Sequence, residues 1–111
     1  MGDFKPRRIK FKAWNTETQL LMRLNSIDCN KGELFKKQHI LLQFTGLLDR
    51  EEEEIYEMDI LLIYSDKYLV FWNEEKGGWY FSPLERRNEI QPFLFESASK
   101  MRRFCSFFEL K

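Results

Sequence analysis

The chain has 111 residues, 16% of them aromatic and 32% charged, with 18 basic side chains against 18 acidic ones. That length fits one domain; eleven Phe, three Trp and four Tyr supply burial that so short a chain otherwise lacks; and overall neutrality argues against a dedicated nucleic-acid binder, which is usually basic. Cys29 and Cys105 are too few for a disulfide framework, the opening M-G-D-F-K-P-R-R has no apolar signal core, and the longest aliphatic run, 60–63, is far too short for a bilayer, so a reduced, cytoplasmic chain without a membrane segment is expected.

In chain order, residues 1–12 hold Lys5, Arg7, Arg8, Lys10 and Lys12 against Asp3. Ile9, Phe11 and Ala13 alternate with Lys10, Lys12 and Trp14, the period of a half-buried strand. Residues 15–18 read as a turn. Leu20, Leu24 and Ile27 fit one face of a short helix, so 20–27 is ambiguous between helix and strand. Asn30, Lys31 and Gly32 make a turn, and 40–44 a strand. Residues 45–54 read as an acidic connection. Residues 49–59 hold seven carboxylates against Arg50, and 100–111 are basic again. Basic ends and an acidic middle attract one another, within a subunit or between subunits. Residues 60–64, 68–72 and 78–81 are three more strands, joined at 65–67 and 73–77, and form an antiparallel meander with Ile60, Leu62, Leu69 and Phe71 inward. Pro83 and Pro92 bracket a polar loop. Met101, Phe104, Cys105 and Phe108 fall at i, i+3, i+4 and i+7, predicting a C-terminal helix capped by Ser97 or Ser99, with Arg102, Arg103, Ser106 and Glu109 on its other face.

Three segments carry a resemblance. Residues 43–60, Q-F-T-G-L-L-D-R-E-E-E-E-I-Y-E-M-D-I, look like the signature of the YopX family, small proteins of bacteriophages and prophages. Residues 8–15, R-I-K-F-K-A-W-N, resemble its opening motif, and 68–78, Y-L-V-F-W-N-E-E-K-G-G, its hairpin. The resemblance is strongest over 8–81; residues 93–111 diverge. It implies a phage-type origin and a fold but no activity. It also implies an extended conformation for 20–27. Glu51-Glu52 stands where relatives often have Asn-Gly, so a looser turn or one helical turn is expected there, since glutamate resists positive φ. Met58 replaces a glycine, which predicts negative φ.

The expected fold is a single α+β domain over 1–111, mainly β. It is a bent antiparallel sheet or partly open barrel of SH3-like character, with a short C-terminal helix. No nucleophile, base and oxyanion donor stand together, so no enzyme, cofactor or catalytic residue is expected. His39, the lone histidine, reads as a partly exposed strand residue. Asp49, Glu54, Glu57 and Asp59 lack calcium-loop spacing and read as a solvated turn rather than a metal site. Trp79 and Tyr80 must face opposite ways on one strand. Five of the eleven Phe lie in residues 93–111, and Phe107 falls off the expected helix face. Phe104, Phe107 and Phe108 are therefore the candidate subunit interface of a homo-oligomer. The expected function is that of a non-enzymatic phage or prophage accessory protein that self-associates. The alternative is nucleic-acid binding through Arg7, Arg8, Lys10 and Lys12.

Overall fold

A computed structural model describes residues 7–24 and 26–110. In chain order they form β1 (Phe11–Asn15), β2 (Leu21–Arg23), β3 (Asp28–Asn30), β4 (Glu33–Phe35), β5 (His39–Leu48), β6 (Glu54–Tyr56), β7 (Asp59–Ile63), β8 (Asp66–Asn73), β9 (Gly78–Pro83), β10 (Gln91–Pro92), the one-turn helix α1 (Phe95–Ala98), β11 (Arg102–Ser106) and a 3₁₀ turn at Phe107–Glu109. The strands make a four-stranded sheet in the order β2-β1-β5-β6, a five-stranded sheet in the order β10-β9-β8-β7-β11, and a separate two-stranded hairpin, β3-β4. All pairs are antiparallel. The architecture is mainly β, a curled half-barrel with very little helix.

Asn15 breaks β1 as its turn chemistry demands, its side-chain oxygen accepting the N–H groups of Glu17 and Thr18. Of the ambiguous segment 20–27, residues 21–23 are a strand. The strand expected at 40–44 runs on to Leu48 and takes in the first four residues of the supposed acidic connection. The register of β5 against β6 shifts between Phe44 and Leu48, and Gly46 sits there at φ +89°, a conformation that glycine adopts without strain. This irregularity bends β5, as bulges do, and helps curl the sheet.

The turn after β5 is not the two-residue type I′ turn of an Asn-Gly pair but a longer, three-residue loop, as expected. Asp49 and Glu53 pair through Asp49 N–H to the Glu53 carbonyl at 2.9 Å, and Glu52 takes φ +65°. The expectation that glutamate would refuse a left-handed turn is thus corrected. Asp49 Oδ1 accepts from Glu51 N–H at 2.8 Å and Glu53 N–H at 2.9 Å, and these bonds hold the strained residue in place.

Met58 likewise stands at φ +67°, not at the expected negative value. Its N–H donates to Val70 O at 2.8 Å, and its carbonyl accepts from Phe107 N–H at 2.7 Å, so two neighbours fix the turn. Met58→Gly is therefore expected to hold or raise stability by up to about 1 kcal/mol, because relief of left-handed strain opposes glycine's extra chain entropy. Urea unfolding measures this; a loss above about 2 kcal/mol would mean that the half-buried thioether outweighs the strain.

The meander β7-β8-β9 forms as expected, with Ile60 opposite Leu69 and Val70 opposite Phe81. The face expected to line the core is only half right. Ile60 and Leu69 are buried, but Leu62 and Phe71 are half-buried. The principal cluster is Ile55, Leu61, Val70, Phe81, Phe93, Ala98 and Met101, which draws on the other face of the meander. Trp72 and Trp79 pair edge-to-face at 5.1 Å across β8 and β9.

The largest correction concerns the C-terminus. Residues 102–106 form no helix; they are β11, paired with the edge of β7. Neither Ser97 nor Ser99 caps a helix over these residues. Ser106 instead caps the 3₁₀ turn, in a reciprocal capping box with Glu109. Among the described residues no helix is long and apolar enough to cross a membrane.

Candidate functional site

The segregated charges of the sequence meet inside one subunit. Strand alternation sets Lys12, Arg23, Leu42, Phe44 and Tyr56 toward one face of the four-stranded sheet, where Lys12 lies directly opposite Arg23 and Phe44 opposite Tyr56. Lys10 pairs with Glu54 and lies over the Phe44 ring. Lys12 lies 4.6 Å from the Tyr56 ring centroid, a cation–π arrangement. Tyr56 O–H donates to Glu54 Oε1 at 3.1 Å. The Lys10 ammonium holds the Glu54 carboxyl below its usual range. Burial, then Glu54, pushes the Tyr56 phenol up to about 12.

The sign is plain. Tyr56 ionises less readily folded than unfolded, so its contribution to stability is complete below about pH 10 and is lost as pH rises toward 12. Absorbance titration of the phenols should show a late step near pH 12 that is missing in Tyr56→Phe. A wild-type titration without that late step, or one that Tyr56→Phe leaves unchanged, would contradict this.

The four candidate carboxylates do not make a solvated turn. Asp49 and Asp59 are buried, and both hold Arg103. Asp49 Oδ2 accepts Arg103 N–H at 2.6 Å. Asp59 takes the Arg103 guanidinium in a fork, Nε to Oδ2 at 2.8 Å and Nη2 to Oδ1 at 3.3 Å, and also accepts Tyr56 N–H at 2.8 Å. Burial pushes the Asp59 carboxyl up, against the opposing pull of Arg103. Burial pulls the guanidinium down, but Asp59 outweighs it and the group ends above its ordinary range. Glu57 is half-buried, and desolvation raises it. Among the described residues no group of three or more His, Cys, Asp or Glu side chains could hold a metal ion. His39 is half-buried, its Nδ1 2.8 Å from the Lys37 carbonyl oxygen.

Of the basic strip, residues 1–6 lie outside the described residues. Arg7 and Arg8 are exposed, whereas Lys10 and Lys12 turn onto the protein's own Phe44, Glu54 and Tyr56. The C-terminal aromatics also find cover at home. Phe108 stacks on Trp14 at 5.7 Å and meets Phe107 edge-on at 5.9 Å. Arg87 lies 5.0 Å from the Phe107 ring centroid. Phe104 is 49% exposed, with the Lys67 ammonium 5.6 Å from its ring. The argument that Phe107 needs a second subunit because it leaves a helix face therefore falls with the helix.

Arg23, Tyr56 and Arg103 went unnoticed as site residues. Tyr56 carried a usable signal: two residues from Glu54 along a strand, the two must share a face. Arg103 carried none, since helical spacing put it in solvent.

Two pockets open along this face. One, of about 390 Å³, is lined by Lys12, Arg23, Tyr56, Arg103 and the run Glu52, Glu53 and Glu54. The other, of about 500 Å³, shares Arg23, Glu54 and Tyr56 but is otherwise more apolar, with Ile9, Phe11 and Ile27 in its wall.

No curated protein matches the sequence. Among solved structures, the "Crystal structure of protein EF1440 from Enterococcus faecalis" is similar, with a TM-score of 0.66 at 19% identity, over 94% of this chain and 96% of that one. At that identity the likeness speaks for the fold alone. A family model described as "YopX protein" matches residues 9–101, most of the chain, and with the three motifs already quoted it shows that this chain belongs to the YopX family.

Proposed function

We propose that the chain is a non-enzymatic accessory protein of phage or prophage type, working in the bacterial host cytoplasm through association with a second copy of itself, on a half-barrel of SH3-like character. The β3-β4 hairpin carries the self-association. Every residue of both strands is exposed, and the hairpin forms a sheet of its own. It displays Leu34 and Phe35, each close to half exposed. A lone two-stranded hairpin is marginal in water, and large apolar side chains rimmed by charge seek a cover. The non-enzymatic reading is supported by the fate of the acids: Asp49 braces a turn, Asp59 holds Arg103, and Glu54 holds Lys10 and Tyr56. Nucleic-acid binding through Arg7, Arg8, Lys10 and Lys12 has less support, because Lys10 is paired with Glu54 and the pocket that Lys12 lines also holds Glu52, Glu53 and Glu54, which would repel a polyanion.

Size-exclusion chromatography with light scattering tests the association. Wild type at about 100 µM, well above the Kd of an ordinary stable interface, should run as an oligomer, and Leu34→Glu with Phe35→Glu should run smaller. A monomeric wild type at that concentration sinks the reading. An oligomer untouched by the double substitution moves the interface off the hairpin, and Phe104→Glu then tests the exposed ring on β11.

A further inference from the structure

Three cations from three strands converge on one pocket, and two of them are directly opposed in a sheet register. Lys12 on β1 faces Arg23 on β2, and both line the pocket of about 390 Å³ that Arg103 enters from β11. Like charges directly opposite across a strand pair repel and cost stability. An anion bridging the two would relieve that repulsion, which Glu54, Asp59 and Glu109 ease only from beyond salt-bridge distance. Among the described residues neither Lys12 nor Arg23 makes an ion pair; of the neighbouring acids, Glu54 is committed to Lys10 and Asp59 to Arg103. Lys12 is half-buried beside the Tyr56 ring, so its ammonium is partly stripped of water without gaining a carboxylate. Burial, and then the nearby Arg103, hold it below the usual lysine range, against the weaker opposing pull of Asp59 and Glu109.

We propose that this pocket is a binding site for a single phosphate group, free or as a monoester, held by Lys12 and Arg23 with Arg103 behind them. Arginine offers a planar fork that matches phosphate oxygens, and lysine a point charge that completes the cradle. Tyr56, its phenol pinned to Glu54, forms the wall. The size of the anion is limited by the rim. Glu52, Glu53 and Glu54 line the same pocket, the first two exposed on the turn after β5, and an extended polyanion would meet more of them than one compact phosphate. The adjoining pocket of about 500 Å³, with Ile9, Phe11 and Ile27 in its wall, meets the first at Arg23 and Tyr56 and gives the body of a monoester an apolar place to lie.

Calorimetric titration of the full chain tests this, with sodium phosphate and adenosine monophosphate as separate probes and sodium chloride balancing the ionic strength. The variants are Arg23→Ala, whose exposed side chain leaves the core untouched, and Lys12→Met, which keeps most of the stem that covers Tyr56. Binding of at least one probe by wild type is expected, about tenfold weaker or more in each variant, the factor that one lost charge-assisted hydrogen bond carries. The nucleotide binding more tightly than phosphate identifies a monoester as the occupant; equal affinities identify the free ion. Absence of binding by both probes up to about 10 mM, an affinity too weak for a built site, overturns the proposal. So does binding that folded Arg23→Ala and Lys12→Met retain in full.

Discussion

Arg103→Ala should lower the unfolding free energy by about 3–5 kcal/mol, the range for breaking a buried ion pair by removing one partner. The cost arises in what is left behind. Asp59 is 1% exposed, and without the guanidinium only Tyr56 N–H and the more distant Lys12 would oppose its desolvation. Arg103→Lys should recover only part of the loss, because an ammonium cannot reproduce the two-pronged contact with Asp59. Replacing both partners, Asp59→Asn with Arg103→Met, should cost less than Arg103→Ala alone, since no unpaired charge then stays buried. The deficit of Arg103→Ala should also depend on pH. Burial already raises the Asp59 carboxyl, and loss of Arg103 should raise it further. A group whose folded pKa is raised contributes stability that is present below its unfolded value, near 3.9, and lost as pH rises through the folded value. The variant should therefore come closest to wild type near pH 4 and fall behind as pH increases. Urea unfolding at several pH values measures both effects. A deficit under about 1 kcal/mol at pH 7 would place the pair among ordinary surface salt bridges and sink the claim that it is structural.

The same pair explains why part of this fold could be read from residues and part could not. The meander was readable because its signals are local: short apolar runs end at Tyr64-Ser65 and at Asn73 to Gly77, and turn chemistry fixes which strands pair. The attraction between basic ends and acidic middle was readable too, since Lys10 finds Glu54 and the Arg103 guanidinium finds Asp59. Residues 101–108 defeated the reading because their helical spacing is a local preference, and the competing interactions are distant. Met101 enters the main core, and its carbonyl accepts Arg50 N–H at 2.8 Å. Residues 102–106 then complete the edge of β7, with a register shift between Arg103 and Cys105. Two buried aspartates far earlier in the chain hold Arg103 where helical spacing would have sent it into water. Helical spacing over two turns is a weak prior against that many long-range partners. The positive φ values at Glu52 and Met58 were missed for a related reason. Residue preference disfavours them, and the bonds that enforce them come from Asp49, Val70 and Phe107. The pocket cations lay equally out of reach, because Lys12 and Arg23 become neighbours only through the β1-β2 register and Arg103 only through β11.

The face of the meander that matters most is tested by a pair of adjacent leucines. Leu61→Ala should cost about 2–5 kcal/mol, the range for truncating a fully buried aliphatic side chain, while Leu62→Ala should cost about 1 kcal/mol. Leu61 is 0% exposed and sits in the cluster with Ile55, Val70, Phe81, Phe93, Ala98 and Met101. Its loss opens a cavity between β7 and side chains from β6, β8, β9, α1 and the residues beside them. Most of these sit on the backbone ladders of the two sheets, so collapse around the void is restricted and the upper half of the range is favoured. Leu62, one residue on, points to the opposite face, is half-buried, and has solvent to fill the space it leaves. Sequence alone cannot rank the two: both lie in the run Ile60-Leu61-Leu62-Ile63, whose continuous apolarity hides the strand's period of two. The ranking follows from what covers each face. Denaturant unfolding of the two single variants measures it, with the slope checked for constancy so that a midpoint shift reports stability. Equal losses would mean that both faces are sealed alike, and a larger loss for Leu62→Ala would mean that the core lies on the other side of the sheet.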